Sequence, residues 1–272
     1  LAKFRPTTAC CAKFKLQGNF SHMTYETLEA TPFAGALGAE ILGVDLSQPL
    51  DNQAFNDVHQ ALLDHQVIVF RDQNLTPQQQ LAFAKRFGGI HQHPYISGLP
   101  DCPEVMPIVK EPTDTHTFGA AWHTDQMFTA KPAMGTMLYA LEVPPAGGDT
   151  LFANLYLAYD ALSDGMKEML SKMKTYSVGD RFKTAGGKSR KEDYKGTSAM
   201  AGQVRDPGDV QTESKHPLIR THPETGRKAL YIGGHAQRFA DMTDAESEPL
   251  LEYLKQHATR PEFTCRVRWE PG

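Results

Sequence analysis

The 272-residue sequence has few cysteines and no long apolar run, and both absences exclude classes of protein. Its four cysteines contain no C-x-x-C pair and are too few for the disulfide framework of a small secreted domain. No apolar run approaches the roughly 20 residues that span a bilayer. The first residues also lack the apolar core of a signal peptide. We therefore expect a soluble protein of the reducing cytoplasm, with no membrane partner.

The sequence also lacks a strong excess of charge of one sign. The formal net charge is -4, and lysine and arginine are spread along the chain, so there is no basic surface for nucleic acid. A small molecule is the expected partner. With 40% apolar residues the chain can bury one large core. We expect one domain over residues 23–272, after a tag or flexible N-terminal arm over residues 1–22, because Ser21, His22 and Met23 resemble the junction that a cloning site leaves.

Signals for helices and strands alternate in the first hundred residues. The apolar runs Ile41–Leu46 and Val67–Phe70 predict strands. Asp51 is placed to cap one helix. Residues 76–79, Thr-Pro-Gln-Gln, combine an N-cap, a proline at the first helical position and a capping box, and predict a second helix that ends at Phe87.

Similar signals continue in the second half of the chain. The apolar run Thr136–Leu141 predicts a strand, and Ser163 and Thr243 predict helix starts. Apolar and polar residues alternate over residues 263–269, the pattern of a half-buried strand. Residues 179–215 are polar and have no period, which predicts a lid-like insertion.

The strongest chemical signal is the sequence Trp122-His123-Thr124-Asp125. On a strand, His123 and Asp125 would point to the same face, so their imidazole and carboxylate could hold one metal. Such a pair with a second histidine forms the facial triad of non-haem Fe(II) oxygenases, which leaves positions open for a cosubstrate and O₂. An H-x-D pair alone is common, so the rest of the sequence must show whether this pair is a metal site.

The order of short motifs along the chain resembles the taurine dioxygenase family from about residue 30 to residue 272. The motifs are Asp72-Gln73, Thr76-Pro77-Gln78-Gln79-Gln80, Arg86-Phe87-Gly88, His91-Gln92-His93-Pro94, Trp122-His123-Thr124-Asp125, Gly147-Gly148-Asp149-Thr150 and Arg220-Thr221-His222-Pro223-Glu224-Thr225-Gly226-Arg227. The resemblance implies a mainly β fold with flanking helices, a double-stranded β-helix of the jelly-roll, cupin-like type. It also implies a dioxygenase that uses Fe(II), 2-oxoglutarate and O₂.

The resemblance also implies roles for individual residues. His123 and Asp125 would be the iron ligands and catalytic residues. Thr150 would contact the far carboxylate of 2-oxoglutarate, and His93 and Tyr95 would bind the substrate.

This sequence departs from the family pattern at two points. In the family the third iron ligand, a histidine, and an arginine for 2-oxoglutarate follow the last strand, so we expect both beyond Gly272 and the domain here to lack its C-terminal strands. An asparagine that faces the substrate in taurine-specific members is replaced by Gly119 or a neighbour. Four downstream histidines do not match the third ligand and are expected to be structural: His216, His222, His235 and His257.

The expected substrate is a small organic anion. A sulfonate such as taurine comes first, with release of sulfite, while 2-oxoglutarate gives succinate and CO₂; an aryloxyalkanoate or an alkyl sulfate is the alternative. An imidazolium at His93 could pair with the anionic group. Family members suggest a homo-oligomer, a dimer or a tetramer. Two other hypotheses stay open: a zinc hydrolase that uses His123, Asp125 and another histidine, and a catalytically silent binding protein.

Overall fold

The computed structural model describes residues 24–115, 117–179, 192, 194–195 and 200–272. The expected N-terminal arm and much of the expected lid-like insertion lie outside the described residues. The strands are β1 (Glu29–Pro32), β2 (Ala39–Leu42), β3 (Ile68–Phe70), β4 (Thr150–Ala153), β5 (Lys174–Val178), β6 (Glu213–Pro217), β7 (Ile219–Thr221), β8 (Lys228–Leu230), β9 (Ala236–Phe239) and β10 (Thr264–Val267). The helices are α1 (Asn52–His65), α2 (Pro77–Ala84), α3 (Leu155–Asp160), α4 (Asp164–Ser171) and α5 (Asp244–Ala258), with short 3-10 helices at Lys85–Phe87 and Pro261–Phe263.

The strands of the described residues form four small sheets. Their strand orders are β1-β2-β3, β10-β4, β6-β5-β9 and β7-β8, and all neighbours are antiparallel except β2 and β3. Strands with flanking helices were predicted and are present. Within the described part of the chain, these sheets do not close into the expected barrel.

Capping residues start the helices where the sequence predicted. Asp51 accepts a hydrogen bond from a backbone N–H of α1, and Ser163 does so for α4. Thr76 and Thr243 each form a complete capping box, at α2 and α5. Each of these groups satisfies a backbone donor that the helix itself leaves unpaired.

Two strand predictions need correction. The predicted strand over Ile41–Leu46 begins earlier, at Ala39, and ends at Leu42 because Gly43 turns the chain with a φ of +85°. The predicted strand over Thr136–Leu141 is wrong: among the described residues this segment forms no ladder.

Single contacts hold the segment Thr136–Leu141 in place of a ladder. The Ala140 carbonyl accepts from Gly272 N at 2.8 Å, and the Tyr139 hydroxyl donates to the Gln73 carbonyl at 2.9 Å. An apolar run favours an extended chain, but a strand also needs a neighbour in register.

The largest apolar cluster lies where α3 and α5 pack on β8 and β9. Leu170, Leu218, Leu230 and Leu254 are fully buried in it. Burying each such side chain contributes about 1.5–3 kcal/mol. A second cluster joins α1 to α2, and a third surrounds the buried ring of Tyr95.

Asn154 joins the first sheet to α3. Its side-chain N–H groups donate to the Ala36 carbonyl at 2.7 Å and to Gln66 Oε1 at 2.8 Å. Its side-chain oxygen accepts from the N–H groups of Tyr156 and Leu157, which caps α3. One buried amide thus satisfies groups on three segments.

Cys102 and Cys265 are buried and have free thiols. Burial raises the pKa of Cys265 to about 11, so its thiol stays protonated at neutral pH. None of the described helices combines the length and the apolarity needed to cross a bilayer.

Asp57 ties the segment before β1 to α1. Its carboxylate accepts from Glu26 N at 2.9 Å, from the backbone and hydroxyl of Thr27 at 2.8 Å, and from Gln53 at 3.0 Å. Burial alone would raise the pKa of Asp57, but these hydrogen bonds outweigh burial and lower the pKa from its ordinary value.

We expect Asp57→Ala to lower the free energy of unfolding at pH 7 by roughly 1–3 kcal/mol, because buried donors lose their acceptor. A lowered folded-state pKa means that the carboxylate stabilises fully above its unfolded pKa of about 3.9 and loses this effect as pH falls through the folded-state pKa. Urea unfolding at pH 7 and at about pH 3 should show the difference from wild type shrinking in acid. The exposed Glu252 is the control, and equal losses in Asp57→Ala and Glu252→Ala would contradict this role.

Candidate functional site

His123 and Asp125 lie in an irregular segment and not on the strand that the sequence predicted. The chain turns over residues 125–128, where Gln126 has a φ of +46°. The two side chains nevertheless converge: His123 Nε2 is 3.2 Å from Asp125 Oδ1. Both are partly exposed, with 38% and 50% of each side chain accessible, so a ligand can reach them.

A close approach of two backbone segments positions this pair. A Cβ at Gly233 would lie 2.5 Å from Thr124 N and 3.2 Å from the carbonyl carbon of His123. The Thr124 hydroxyl donates to the Ile232 carbonyl at 2.8 Å. Because backbone atoms cannot move aside cheaply, only glycine permits this packing. The segment after β8 therefore determines where His123 and Asp125 stand.

Hydrogen bonds hold the atom of each side chain that faces away from the other, which is Nδ1 of His123 and Oδ2 of Asp125. His123 Nδ1 lies 2.8 Å from the Ala121 carbonyl, which can only accept, so Nδ1 carries a hydrogen and Nε2 faces Asp125. The Thr136 hydroxyl donates to Asp125 Oδ2 at 2.5 Å, which leaves Oδ1 towards the imidazole. Metal-bound histidines and carboxylates are held by outer partners in this way.

The pKa of Asp125 is lowered from its ordinary value. The hydrogen bond with His123 is the largest cause, and burial acts against it. The hydrogen bond from the Thr136 hydroxyl lowers the pKa further. Asp125 is therefore ionised at neutral pH, the form that binds a metal. His93 lies on the same side of the site, since its ring centre is 6.4 Å from that of Phe118 and the next residue, Gly119, adjoins the His123 imidazole.

His93 lies in a loop whose backbone fixes the imidazole. Its Nδ1 accepts hydrogen bonds from Tyr95 N at 3.1 Å and from Ile96 N at 3.2 Å. A nitrogen that accepts carries no hydrogen, so the ring donates through Nε2. This arrangement favours a neutral Nε2–H donor over the imidazolium that the sequence suggested.

Tyr95 is buried, with 1% of the residue accessible, and packs edge-on against Phe128. In this position its ring supports the loop. A direct contact between Tyr95 and substrate stays a prediction.

Thr150 begins β4 opposite Val267 of β10. Its hydroxyl accepts a hydrogen bond from Trp269 Nε1 at 2.8 Å and keeps its own hydrogen for another acceptor. The predicted contact between Thr150 and 2-oxoglutarate is chemically possible and stays a prediction.

Sequence reasoning missed several residues near the pair, among them Tyr231. Burial is the main cause that raises the pKa of Tyr231; Arg220 opposes the shift, and the charge of Asp125 adds to it. The Arg220 guanidinium lies 4.9 Å from the centre of the Tyr231 ring. Arg220 belonged to a quoted motif, but no spacing rule connects residue 231 to Asp125.

Gly119 adjoins the imidazole of His123. A Cβ at this position would lie 3.4 Å from His123 Cε1. Gly119, one of the positions at which the taurine-specific asparagine was expected to be replaced, thus lies directly beside a candidate ligand; the replacement itself stays a prediction.

The four downstream histidines make hydrogen bonds with the backbone, as expected for structural residues. The partners are the Thr129 carbonyl for His216, the Val178 carbonyl for His235, the Ala158 carbonyl for His257 and the N–H groups of Glu224 and Thr225 for His222. In the described residues no group of three His, Cys, Asp or Glu side chains could hold a metal ion. The pair thus supplies two ligands.

The geometry of the pair fits two positions of one metal centre. Atoms about 2.1 Å from a metal and at a right angle to each other lie roughly 3.0 Å apart. His123 Nε2 and Asp125 Oδ1 are separated by 3.2 Å. Imidazole and carboxylate are also the donors of non-haem Fe(II) sites. The residues present therefore fit Fe(II).

We expect Thr136→Val to weaken Mn(II) binding by about 10-fold to 100-fold, because Asp125 loses the donor that orients it. Isothermal titration calorimetry of the natural full-length protein measures the affinity. The control is Thr129→Val, which removes a nearby hydroxyl that donates to the Gln126 carbonyl. Equal affinities in wild type and Thr136→Val would exclude this positioning role.

Comparison with known proteins places these residues in a family. Residues 29–272 match the family described as "Taurine catabolism dioxygenase TauD, TfdA family". An (S)-phenoxypropionate/alpha-ketoglutarate-dioxygenase of Sphingobium herbicidovorans is 33% identical over 262 residues, which cover 90% of this chain and 84% of the relative. An alpha-ketoglutarate-dependent sulfate ester dioxygenase of Pseudomonas putida is 31% identical over 256 residues, which cover 90% of this chain and 79% of the relative.

A solved structure agrees with these relatives. The crystal structure of a taurine dioxygenase from Burkholderia xenovorans is similar, with a TM-score of 0.72 and 32% identity over 90% of this chain and 78% of that chain. Enzymes of this family use Fe(II), 2-oxoglutarate and O₂. The chain therefore belongs to the TauD/TfdA family of 2-oxoglutarate-dependent dioxygenases.

Proposed function

We propose that this protein hydroxylates a small anionic organic substrate, with His123 and Asp125 as two protein ligands of its Fe(II). The observation that carries the proposal is the 3.2 Å approach of His123 Nε2 to Asp125 Oδ1. The outer atoms of both side chains are already held, by Ala121 and Thr136. A simple ion pair would not need both outer contacts, whereas a metal site does.

The residues prepare this site before the substrate binds. When bound, the iron supplies, with 2-oxoglutarate and O₂, the oxidising chemistry that replaces a substrate C–H hydrogen by a hydroxyl group, while 2-oxoglutarate becomes succinate and CO₂. Asp125 remains ionised because its pKa is lowered, and Thr136 leaves Oδ1 as its ligand atom. The Ala121 carbonyl keeps His123 Nε2 directed to the same point. Such orientation is the protein's main contribution in a cofactor enzyme.

Two further contacts complete the proposal. The Thr150 hydroxyl keeps a hydrogen that can bind the far carboxylate of 2-oxoglutarate. His93 offers an Nε2–H donor to the anionic group of the substrate. Tyr95 supports the His93 loop and is the second candidate for contact with the substrate. We also propose a jelly-roll barrel for the whole domain and a homo-oligomer, a dimer or a tetramer.

The substrate proposed first is a sulfonate such as taurine. Hydroxylation of the carbon that bears the sulfonate would release sulfite. The similarity to a taurine dioxygenase structure supports this choice, whereas Gly119 in place of the expected asparagine argues against taurine. The same chemistry on an aryloxyalkanoate or an alkyl sulfate is the alternative, since relatives named for phenoxypropionate and sulfate esters are equally similar.

Succinate formation by the natural full-length protein tests this proposal. Fe(II) and 2-oxoglutarate are supplied with taurine, phenoxypropionate or an alkyl sulfate, and one of these acids should stimulate succinate formation. His123→Ala and Asp125→Ala should each lower the stimulated rate by at least about 100-fold, since each removes a metal ligand. His222→Ala is the matched control, because His222 holds only a turn.

Each outcome separates the hypotheses. Stimulation by phenoxypropionate or an alkyl sulfate alone keeps the chemistry and discards taurine. No succinate under any condition would overturn the oxygenase and favour a silent binding protein. Turnover of a substrate without O₂ and 2-oxoglutarate would favour a hydrolase.

A further inference from the structure

The loop that carries His93 has little regular structure to hold it. Residues 88–100 contain no helix and no ladder, and two isolated bridges, Ile96 with Val204 and Leu99 with Cys102, are their regular pairings. A cavity of about 250 Å³ lies against the loop, and His93, Met106 and Arg205 are among its lining residues. With open space on that side, close packing alone cannot fix the imidazole.

Arg205 binds three consecutive carbonyl groups of this loop. Its Nη2 donates to the His93 carbonyl at 2.8 Å, and its Nε donates to the Pro94 carbonyl at 3.2 Å. Its backbone N–H donates to the Tyr95 carbonyl at 2.8 Å. The guanidinium is planar and rigid, so its two donors fix the directions of two carbonyls together.

Two of these three carbonyls, those of Pro94 and Tyr95, belong to the peptide groups that orient His93. The Pro94 carbonyl and Tyr95 N share one planar peptide group, and the Tyr95 carbonyl and Ile96 N share the next. The Arg205 guanidinium holds the oxygen of the first group and the backbone N–H of Arg205 holds that of the second, while the N–H of each group donates to His93 Nδ1. A rotation of either peptide would therefore turn the imidazole.

We propose that Arg205 is a positioning residue for substrate binding, whose guanidinium aims the Nε2–H of His93 at the anionic group of the substrate through the Pro94–Tyr95 peptide group. The inference rests on the proposed function, because it concerns the substrate contact of that same site. It assigns Arg205 no contact with the substrate, the iron or 2-oxoglutarate.

Steady-state kinetics with the acid that wild type turns over best test the proposal. Arg205→Met should raise the substrate KM by on the order of 10-fold, because a misplacement of about 1 Å is costly, with a smaller change in kcat. Arg205→Lys should resemble Arg205→Met, because one ammonium group cannot hold two carbonyls in a plane. Full rescue by lysine would instead indicate a direct charge effect and overturn the proposal.

A double-mutant cycle tests whether Arg205 acts through His93. In a His93→Ala background, Arg205→Met should change KM by less than about twofold, whereas independent effects would multiply. The control is Arg86→Met, since Arg86 also donates to a backbone carbonyl, that of Leu50 at 2.8 Å. Arg86→Met should leave KM unchanged. Multiplying effects, or an equal KM increase in Arg86→Met, would overturn the assignment.

A spectroscopic measurement separates orientation from stability. In ¹⁵N-labelled protein, the His93 ring nitrogens should report the Nε2–H tautomer in wild type and lose this preference in Arg205→Met at a temperature where both are folded. An unchanged tautomer and an unchanged KM, with substrate-stimulated wild-type turnover, would overturn only the positioning role. Absence of stimulated wild-type turnover with every acid overturns the proposed function and this inference together.

Discussion

The candidate site depends on the contact between Gly233 and Thr124, where two backbone segments pack with no room for a side chain. The hydroxyl of Thr124 also bonds to the Ile232 carbonyl, so the contact fixes direction as well as distance. His123 and Asp125 flank Thr124 and take their positions from a contact that neither side chain makes. The loop with His93 is held in the same manner, through its backbone. The chain thus positions the side chains of the candidate site through contacts of the backbone around them.

Local chemistry explains which parts of the fold the sequence predicts well. The capping boxes at Thr76 and Thr243 involve residues three apart, and the alternation over residues 263–269 predicted one half-buried strand, which the structure shows over the shorter range Thr264–Val267. These signals depend on neighbours in the chain. The strand prediction for Thr136–Leu141 was wrong because an apolar pattern does not show whether a neighbouring strand is present in register. Strand β2 ends before Gly43 because the backbone of this glycine is left-handed, and a hydrophobicity pattern does not reveal such a conformation.

The same division applies to the site. His123 and Asp125 were found because their chemistry and spacing are local, and the family resemblance gave that pair a role. The partners that hold the loop and the pair are distant in sequence: Thr124 and Ile232 are 108 residues apart, and Arg205 and His93 are 112 apart. Only tertiary packing brings them together, so no spacing rule could identify them. Residue type alone also suggested an imidazolium at His93, whereas the surrounding N–H donors favour the neutral ring.

Gly119 shows how the proposed substrate side of the site can vary separately from the proposed metal ligands. Its φ of +69° lies in the left-handed region, where glycine is free and asparagine is among the best tolerated of the other residues. A side chain there would extend from a point 3.4 Å from the His123 ring. The backbone is thus already shaped for either residue, and one codon can add or remove an amide beside the ring. A substitution at this position would therefore alter the surroundings of the proposed metal ligands without moving the backbone that holds them.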